Sequence, residues 1–231
     1  MCGRYTLKTS GAELASVFNL AESPALEPTY NVAPTHIMPI IHADSGRRRV
    51  MRAQWGLVPF WAKTRKVGLR MINARSETAH TSGAFRSAMR KRRCIVPADG
   101  WYEWKKMERS KQPYRFHRTD ERPFAIAGLY EHWVDPEIGE VLDSFTVLTT
   151  SPNDLAAAVH DRMPVLLHER DWNRWLNPDE NGTQCFEQLF LPWDEDDLVA
   201  TPVSKAVGNV RNNERALIER VEIGPVQGTL F

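Results

Sequence analysis

The segment CIVPADGWYEWKK, residues 94–106, opens the part of the chain that decides the fold. Three more segments with the composition of β-strands follow it, QPYRFHR at 112–118, PFAIAGLYEHW at 123–133 and SFTVLTT at 144–150. Clusters of residues typical of turns separate these segments. The pattern predicts consecutive strands that pair mostly in the antiparallel sense.

Shorter elements are predicted on either side of this strand-rich middle. CGRYTL at 2–7 favours a strand, and SGAELASVFNL at 10–20 favours a helix. Ser10 is the expected N-cap of that helix, with Glu13 completing a capping box. The other predicted elements are hairpin strands at 36–43 and 47–56 joined at 44–46, a loop at 30–35, a long exposed loop at 57–71, a basic helix at 83–93, a helix starting at 151, an extended piece at 163–168, helices at 169–176 and 183–190, and a strand at 197–204.

No internal repeat, low-complexity linker or domain boundary interrupts the series. The chain is therefore predicted to be a single α+β domain over residues 1–231, with a mostly antiparallel or mixed sheet or a barrel-like core and peripheral helices. Its hydrophobic content of 42% and charged content of 26% are those of a soluble globular protein. No signal peptide or membrane span is predicted. The three widely spaced cysteines, Cys2, Cys94 and Cys185, favour a reducing compartment over a disulfide framework.

The charge is unevenly distributed along the chain. The formal net charge is only +1, but residues 46–93 hold fourteen Lys and Arg residues against one acidic residue, Glu77. Such a segment suggests a polyanionic partner on one face of the protein. It is equally compatible with a solvated surface whose charges are balanced in space by the acidic parts of the chain.

Common catalytic motifs are absent from the sequence. It contains no Gly-rich phosphate loop, no Gly-x-Ser-x-Gly nucleophile elbow and no closely spaced Cys or His pair for zinc, so neither a cofactor nor a metal is expected. This absence draws attention to Cys2, which would become the first residue after removal of Met1.

An N-terminal cysteine carries two nucleophiles on one residue. Its α-amine has a pKa of about 7.7–8.0, so it forms imines near neutral pH without a buried lysine. The thiolate, which a cation such as Arg4 would favour, can close onto the imine carbon and give a five-membered thiazolidine. Cys2 is thus a trap for aldehydes or a nucleophile for amide hydrolysis, unless it is simply tolerated at the second position.

Two strand-like stretches carry polar side chains that could act with Cys2. Asn73, Arg75 and Glu77 alternate in the sequence, so on a strand they share one face, where they could hold a phosphate or a sugar oxygen. Glu103 lies among aromatic residues, and burial beside them would raise its pKa into the range useful for acid–base chemistry. A polar edge strand and a partly exposed glutamate are the plain structural alternatives.

Two loops offer further candidates. His160 and Arg162 come just after a predicted helix, although a lone histidine more often has a structural role. Phe60 and Trp61 lie in the basic loop at 57–71, where apolar wedges could unstack DNA bases or fold back onto the core.

Taken together, the motifs resemble one family. They are MCGRY at 1–5, YNVAPT at 30–35, WGLVPFWAK at 55–63, INARSET at 72–78, RRCIVPADGWYEWKK at 92–106, HDRMPVLL at 160–167 and PVSKAVGNVRN at 202–212. Their combination and order are similar to those of the SRAP family (SOS-response-associated peptidases), abasic-site processing proteins that crosslink themselves to DNA. The resemblance covers residues 1–212 and leaves a tail at 213–231.

The resemblance implies roles for particular residues. Cys2 would form a thiazolidine with the ring-opened abasic sugar, Asn73 would sense that sugar, Glu103 would move protons, and His160 would assist sugar opening. Residues expected to bind DNA are Arg4, Asn31, Pro34, Phe60, Trp61, Arg75, Arg162, Ser204, Lys205 and Asn209. Phe60 departs mildly from the family pattern, in the place of a tryptophan.

The resemblance also implies partners and a location. Single-stranded DNA with abasic sites is the expected substrate, because a splayed sugar is reachable without opening a duplex, and the replication machinery is a further expected partner. The protein would be a monomer without a membrane partner, located in the cytoplasm at the nucleoid if bacterial and in the nucleus if eukaryotic. The family name adds a peptidase activity in which Cys2 frees its own amine.

Two other functions are compatible with the same residues. Glutamine amidohydrolases with an N-terminal nucleophile also begin with Met-Cys-Gly, and Asn73 could then serve an oxyanion hole. Their chains usually continue with an apolar strand, whereas Arg4 follows here. A non-covalent reader of DNA, in which Cys2 is incidental, is the second alternative.

Overall fold

The protein is described by a computed structural model that covers residues 2–180 and 186–223. Met1, Cys185, the first part of the helix predicted at 183–190 and the end of the tail at 213–231 lie outside the described residues. Within the described residues, no helix is long and apolar enough to cross a membrane.

Twelve strands are described, together with short helices at the periphery. The strands are β1 (Tyr5–Leu7), β2 (Thr29–Val32), β3 (Ile37–Asp44), β4 (Arg47–Trp55), β5 (Asn73–Arg75), β6 (Arg93–Ala98), β7 (Gly100–Lys106), β8 (Lys111–Arg118), β9 (Phe124–Val134), β10 (Val141–Thr150), β11 (Met163–Pro164) and β12 (Leu198–Pro202). The α-helices are α1 (Gly11–Phe18), α2 (Arg86–Lys91), α3 (Asp154–Ala157) and α4 (Trp172–Leu176). Short 3-10 helices span Arg65–Arg70, Glu169–Asp171, Glu187–Phe190, Lys205–Gly208 and Arg215–Ile218.

The strands form two sheets. The first sheet has five antiparallel strands in the order β12-β8-β7-β1-β2, so that β1 lies in its interior. The second sheet has seven strands in the order β11-β10-β4-β3-β6-β9, with β5 beside β10. Pairing of β9 with β10 closes the second sheet into a partly closed barrel, because β10 also pairs with β4 at the other end of the series. The predicted α+β class with a mostly antiparallel or mixed core is confirmed.

Local signals account for several elements. Ser10 caps α1 by accepting a hydrogen bond from the Glu13 backbone N–H at 3.2 Å. The β3–β4 hairpin turns at Ser45 and Gly46, whose φ angles of 49° and 75° are the positive values that a two-residue hairpin turn requires. Both the helix and the hairpin are confirmed as predicted.

Two predicted loops are more ordered than expected. The first half of the loop predicted at 30–35 belongs to β2. The segment 57–71 is not an exposed loop throughout, because Leu57, Val58 and Ala62 are buried and Arg65–Arg70 forms a 3-10 helix. Its packing depends on Gly68, where an added Cβ would lie 2.5 Å from the Gly56 carbonyl oxygen.

Aromatic side chains join the two sheets in one core. Tyr5 on β1 contacts Trp55 on β4 with ring centroids 5.2 Å apart, and both side chains are fully buried. Trp101 on β7 packs edge-on against Phe124 of β9 with ring centroids 5.6 Å apart. Burying rings of this size from both sheets holds β1 and β7 firmly over the barrel.

Asp99 fixes the path of the chain that leaves β1. It is fully buried in the bend between β6 and β7, where the segment 94–106 passes from the second sheet to the first. Its carboxylate accepts hydrogen bonds from the Thr6 hydroxyl at 2.6 Å and from the backbone N–H groups of Lys8 and Thr9 at 2.5 and 3.0 Å. Bonds to a buried charge are strong, so Asp99 anchors the strand that follows Cys2.

Candidate functional site

Cys2 lies between the two sheets, just before β1. Its side chain is fully buried, and its thiol faces the Arg4 carbonyl oxygen at 3.8 Å. Asn73, the first residue of β5 in the second sheet, donates from Nδ2 to the Cys2 carbonyl oxygen at 2.8 Å. The other amide atom, Asn73 Oδ1, is buried with no hydrogen-bond partner in the structure, and is therefore available to a ligand at Cys2.

Glu103 lies on β7, which pairs with β1, and its charge acts on the Cys2 thiol. Its side chain is almost fully buried, and this burial raises its pKa to about 7. The charge of Asp161 contributes in the same direction. The expectation that burial would raise the pKa of this carboxyl group agrees with the structure. At neutral pH both its protonated and its ionised forms are populated, as acid–base catalysis requires.

His160 follows α3 and approaches Glu103. Its Nε2 lies 3.8 Å from Glu103 Oε2, and its Nδ1 accepts the Arg162 backbone N–H at 3.1 Å. Burial lowers the pKa of His160, so the ring is mainly neutral at pH 7. Nδ1 also lies 2.8 Å from Asp161 Oδ1, so a carboxylate oxygen faces each nitrogen of the ring.

The Cys2 thiol is held in its neutral form. Burial raises its pKa well above the usual range, and the charge of Glu103 adds to this effect. The expectation that Arg4 would favour the thiolate is therefore wrong, because desolvation outweighs any nearby cation and the Arg4 guanidinium is bonded elsewhere. A reaction at this sulfur needs a base to take its proton, and Glu103 is the carboxylate whose charge acts on it.

Protonation of Glu103 should make folding stability depend on pH. The folded-state pKa of about 7 lies above the ordinary value of 4.5, so stabilisation by the protonated form is complete below pH 4.5 and is lost as pH rises through 7. Relative to Glu103→Gln, the wild type should lose about 2–3 kcal/mol of unfolding free energy between pH 5 and pH 8. Urea titrations at both pH values measure this difference, and equal losses in the two proteins would contradict the raised pKa.

Arg4 and Asn31 hold the loop at 207–212 against β1 and β2. Arg4 donates to Asn31 Oδ1 and to the Val207 carbonyl oxygen, both at 2.8 Å. The buried Asn31 donates from Nδ2 to the carbonyl oxygens of Asn209 and Asn212 at 3.0 and 2.9 Å. Asn31, expected to contact DNA, is thus committed to loop positioning in this structure, and Arg4 is partly so.

Arg162 is held by a carboxylate beside the site. Its guanidinium makes a bidentate ion pair with Glu77, from Nη1 at 2.5 Å and from Nη2 at 2.9 Å, and also donates to the Thr149 carbonyl oxygen at 2.5 Å. Arg75 is exposed on β5, near Asn73. Glu77 lies beyond the end of β5, so the expected shared face includes Asn73 and Arg75 but not Glu77.

The remaining residues expected to bind DNA differ in exposure. Phe60 and Trp61 are 59% and 54% exposed, which is unusual for rings of their size. Trp61 Nε1 donates to the Gly83 carbonyl oxygen at 3.3 Å. Lys205 and Asn209 are also exposed, whereas Pro34 and Ser204 are half-buried, and Ser204 caps the turn at Lys205–Gly208.

The basic segment at 46–93 divides into two groups. Arg93 is buried and donates to the carbonyl oxygens of Trp175 and Met89, so it holds α4 against β6. Arg92 pairs with Glu131 at 2.7 Å. A larger set stays exposed and includes Lys63, Arg65, Lys66, Arg70, Arg75, Arg86, Arg90 and Lys91. Some cations of the segment are thus structural, whereas the exposed ones remain available to a polyanionic partner, which stays a prediction.

Sequence reasoning missed one residue beside the site. Glu77 was placed on the Asn73 face but not recognised as the partner of Arg162. A signal was available, because Glu77 is the only acidic residue at 46–93, and a lone carboxylate among cations is well placed to bind one of them. Within 2–180 and 186–223, no group of three or more His, Cys, Asp or Glu residues could hold a metal ion.

Comparisons with known proteins place this geometry in a family. The model of the SOS response associated peptidase (SRAP) family matches residues 1–210. The abasic site processing protein YoqW of Bacillus subtilis is 41% identical over 223 residues, covering 95% of this chain and 99% of YoqW. HMCES of Xenopus tropicalis, also named an abasic site processing protein, is 31% identical over 83% of this chain and 66% of its own length.

A solved structure agrees with the fold. The crystal structure of a protein from Bacteroides thetaiotaomicron superimposes with a TM-score of 0.86 at 26% identity, over 96% of this chain and all of that chain. The sequence match thus covers almost the whole chain and the architecture is shared. The chain belongs to the SOS response associated peptidase (SRAP) family.

Proposed function

We propose that the protein captures abasic sites in single-stranded DNA as a covalent adduct on Cys2. The observation that carries this proposal is the convergence of Cys2, Asn73, Glu103 and His160, which come from both sheets and a loop. The names of the curated relatives, which are abasic site processing proteins, support the same substrate.

The chemistry follows from the two nucleophiles of Cys2. An abasic deoxyribose opens to an aldehyde at C1′. Once Met1 is removed, the Cys2 amine adds to this aldehyde and loses one water, which gives an imine. The sulfur then adds to the imine carbon, a carbon–sulfur bond forms, the thiol proton leaves and the imine nitrogen gains a proton. The product is a thiazolidine whose mass is that of protein plus DNA minus one water.

The neighbouring side chains have complementary roles in this proposal. Glu103, with a pKa of about 7, donates a proton to the departing hydroxyl group and accepts the thiol proton from the buried Cys2. Neutral His160, 3.8 Å from Glu103, assists opening of the sugar ring. Asn73 holds the Cys2 carbonyl oxygen with Nδ2 and offers its unpartnered Oδ1 to a sugar hydroxyl.

The surface around the site suits an unpaired strand. Exposed Arg75 is two residues from Asn73 on β5 and lies opposite Thr149, whose carbonyl oxygen accepts from the Arg162 guanidinium. Both cations can contact phosphates flanking the lesion, Arg162 while it stays paired with Glu77. The exposed rings of Phe60 and Trp61 can stack on or separate neighbouring bases. Self-removal of Met1 by Cys2 would prepare the amine, and this step accounts for the peptidase in the family's name.

Intact-protein mass spectrometry tests the proposal directly. The purified protein is measured before and after incubation with single-stranded DNA that carries one abasic site. Loss of Met1 and a new species equal to protein plus DNA minus one water, stable without borohydride, is the expected result. Loss of Met1 without any adduct would favour the amidohydrolase, which is then tested by ammonia release from glutamine. Retention of Met1 would remove the amine that the proposal requires.

Binding of abasic single-stranded DNA should weaken steeply with salt. Contacts from Arg4, Arg75 and Arg162 to three phosphates predict a slope of about −2 in log K against log salt, or a loss of about 15- to 20-fold in affinity between 50 and 200 mM. Arg75→Gln should reduce this slope by about 0.7. Arg122→Gln is the matched control, because exposed Arg122 lies by Asp120 and Glu121 at the opposite end of the first sheet. The slopes are measured by fluorescence anisotropy. Equal slopes in the wild type and in both variants would show that Arg75 does not contact a phosphate of the DNA.

A further inference from the structure

A cavity of about 320 Å³ opens next to the proposed site and has no role in the chemistry above. It lies where β5 and β10 end, between Glu77 on one side and Thr150 and Ser151 on the other. Ser76, which also lines it, is three residues beyond Asn73, or about 10 Å along an extended chain. A group in this cavity would therefore be a near neighbour of a sugar held at Asn73.

The walls of the cavity are apolar and fixed. Met89 on α2 supplies a buried thioether, and Phe190 supplies a half-buried ring. The Phe190 ring packs edge-on against Trp175 with centroids 6.0 Å apart, and its carbonyl oxygen accepts the Thr150 hydroxyl at 2.5 Å. A thioether and an anchored aromatic ring favour a flat, polarisable ligand.

The rim of the cavity offers hydrogen-bond acceptors. Glu187 contributes an exposed carboxylate, Glu77 contributes the carboxylate that also binds Arg162, and Ser151 and His80 contribute a hydroxyl and an imidazole. No Lys or Arg is among the described residues that line the cavity. The Glu187 carboxylate disfavours a phosphate inside the cavity, away from Arg162. A ring bearing an exocyclic amine, such as cytosine, adenine or guanine, presents the donors that these carboxylates accept, whereas thymine presents only a ring N–H.

Glu77 connects this cavity to the proposed site. The same carboxylate that lines the cavity binds Arg162 through both of its oxygens, and the backbone N–H of Arg162 donates to His160 Nδ1. A base seated against Glu77 would place the backbone of its own nucleotide next to Arg162, which carries a positive charge for the phosphate.

We propose that this cavity receives the unpaired base of a nucleotide flanking the abasic site, and that it prefers bases with an exocyclic amine over thymine. The inference rests on the proposed function, since it needs the abasic sugar to lie at Asn73 and Cys2. The cavity would give the reaction a preference for the flanking DNA sequence, although no nucleobase takes part in the covalent step.

Flanking-base substitution tests the cavity separately from the covalent step. Single-stranded DNA with a central tetrahydrofuran, a stable abasic analogue that cannot form an imine, is flanked by cytosine, adenine, thymine or further tetrahydrofuran residues, and binding is measured by anisotropy. Wild-type affinity should be about three- to tenfold higher with cytosine or adenine than with thymine, the effect expected of one hydrogen bond. It should be about tenfold or more higher than with no base, because stacking is then lost as well. The adduct rate on matched DNA with a reactive central site should follow the same order.

Two variants test whether a preference for the flanking base arises in the cavity. Ser151→Phe fills it from an exposed position, and Glu187→Ala removes one acceptor; both should reduce the preference to less than twofold. Glu137→Ala is the matched control, an exposed glutamate in the turn at the opposite end of β10, and should keep the preference. Thermal melts establish that each variant is folded.

The outcomes separate the two proposals. Equal wild-type affinity for all flanks, or a preference unchanged in both cavity variants, would overturn the cavity assignment even if the adduct forms. A flank preference that the variants remove, in a protein that gives no adduct with reactive DNA, would support the cavity and reject the covalent function.

Discussion

Replacement of Cys2 by alanine should abolish the adduct that survives denaturation, while leaving affinity for abasic single-stranded DNA within about twofold. The alanine variant is prepared with Met1 removed by an added methionine aminopeptidase, because it lacks the Cys2 that would remove Met1 itself. It then keeps an α-amine at residue 2 and loses the sulfur, so it can form an imine but cannot close the thiazolidine ring. An adduct should therefore appear only after borohydride reduction. Denaturing gels of samples with and without borohydride measure this difference, and anisotropy measures the binding.

Cys94→Ala is the control that the chain itself offers. Cys94 is as buried as Cys2 and burial likewise raises its pKa, but it lies on β6 within the barrel. Its variant should form the stable adduct at the wild-type rate even if it unfolds at lower temperature. A stable adduct in the Cys2 variant, or its loss in the Cys94 variant alone, would remove Cys2 from the chemistry.

Replacement of Glu103 by glutamine should slow adduct formation by about two orders of magnitude or more, the usual contribution of a positioned acid–base group. Glutamine keeps the shape of the side chain and cannot take up the thiol proton of Cys2, whose raised pKa makes a base necessary. Reversal of the adduct should slow as well, because the same proton returns along the same path. Single-turnover kinetics with excess protein measure formation, and transfer of the protein to a competing abasic DNA measures reversal.

The pH dependence distinguishes this role from a structural one. Deprotonation of the α-amine should raise the rate of both proteins as the pH approaches 8. The wild type should show an additional inflection with an apparent pKa near 7, and this inflection should be absent from the glutamine variant. Glu131→Gln is the control. Glu131 is a buried glutamate on β9 that binds Arg92, and its variant should keep both the rate and the pH profile. Unchanged kinetics of the Glu103 variant in both directions would eliminate Glu103 from the mechanism.

Elements with local signals could be predicted from the sequence. The capping side chain of Ser10 and the turn at Ser45 and Gly46 involve residues within a few positions of each other, so α1 and the β3–β4 hairpin follow from short stretches. The strand content of the middle follows in the same way. These elements give the α+β class but not the way in which the sheets close.

Closure of the barrel could not be predicted. It depends on β10, which pairs in the parallel sense with β4 at Ser144 opposite Gln54 and with β5 at Leu148 opposite Ala74. These partners are about seventy to ninety residues apart in sequence, and no local composition records such a pairing. The assignment of β6 and β7 to different sheets could not be predicted either. One continuous strand-like segment supplies a strand to each sheet, and its composition does not show the break between them.

The site, like the fold, has features that local sequence predicts and features that depend on distant segments. The burial of Glu103 could be anticipated from its aromatic neighbours, whereas its approach to Cys2 and His160 requires three segments that only the fold brings together. The expected effect of Arg4 on the thiol failed because sequence proximity does not show where a long side chain points. Arg4 reaches away to Asn31 and Val207, and desolvation then decides the pKa of Cys2.

The interior position of β1 has a mechanical consequence for DNA joined to Cys2. β1 is flanked by β2 and β7, and Asp99 binds the chain at Thr6, Lys8 and Thr9 immediately beyond it. A pull on the DNA along the strand would therefore act in shear on hydrogen bonds of two neighbouring strands at once. The tethered protein would resist being drawn off the DNA by a moving motor. Its removal by proteolysis, as opposed to reversal of the adduct, would require unfolding of the first sheet before a peptide bond near Cys2 became accessible.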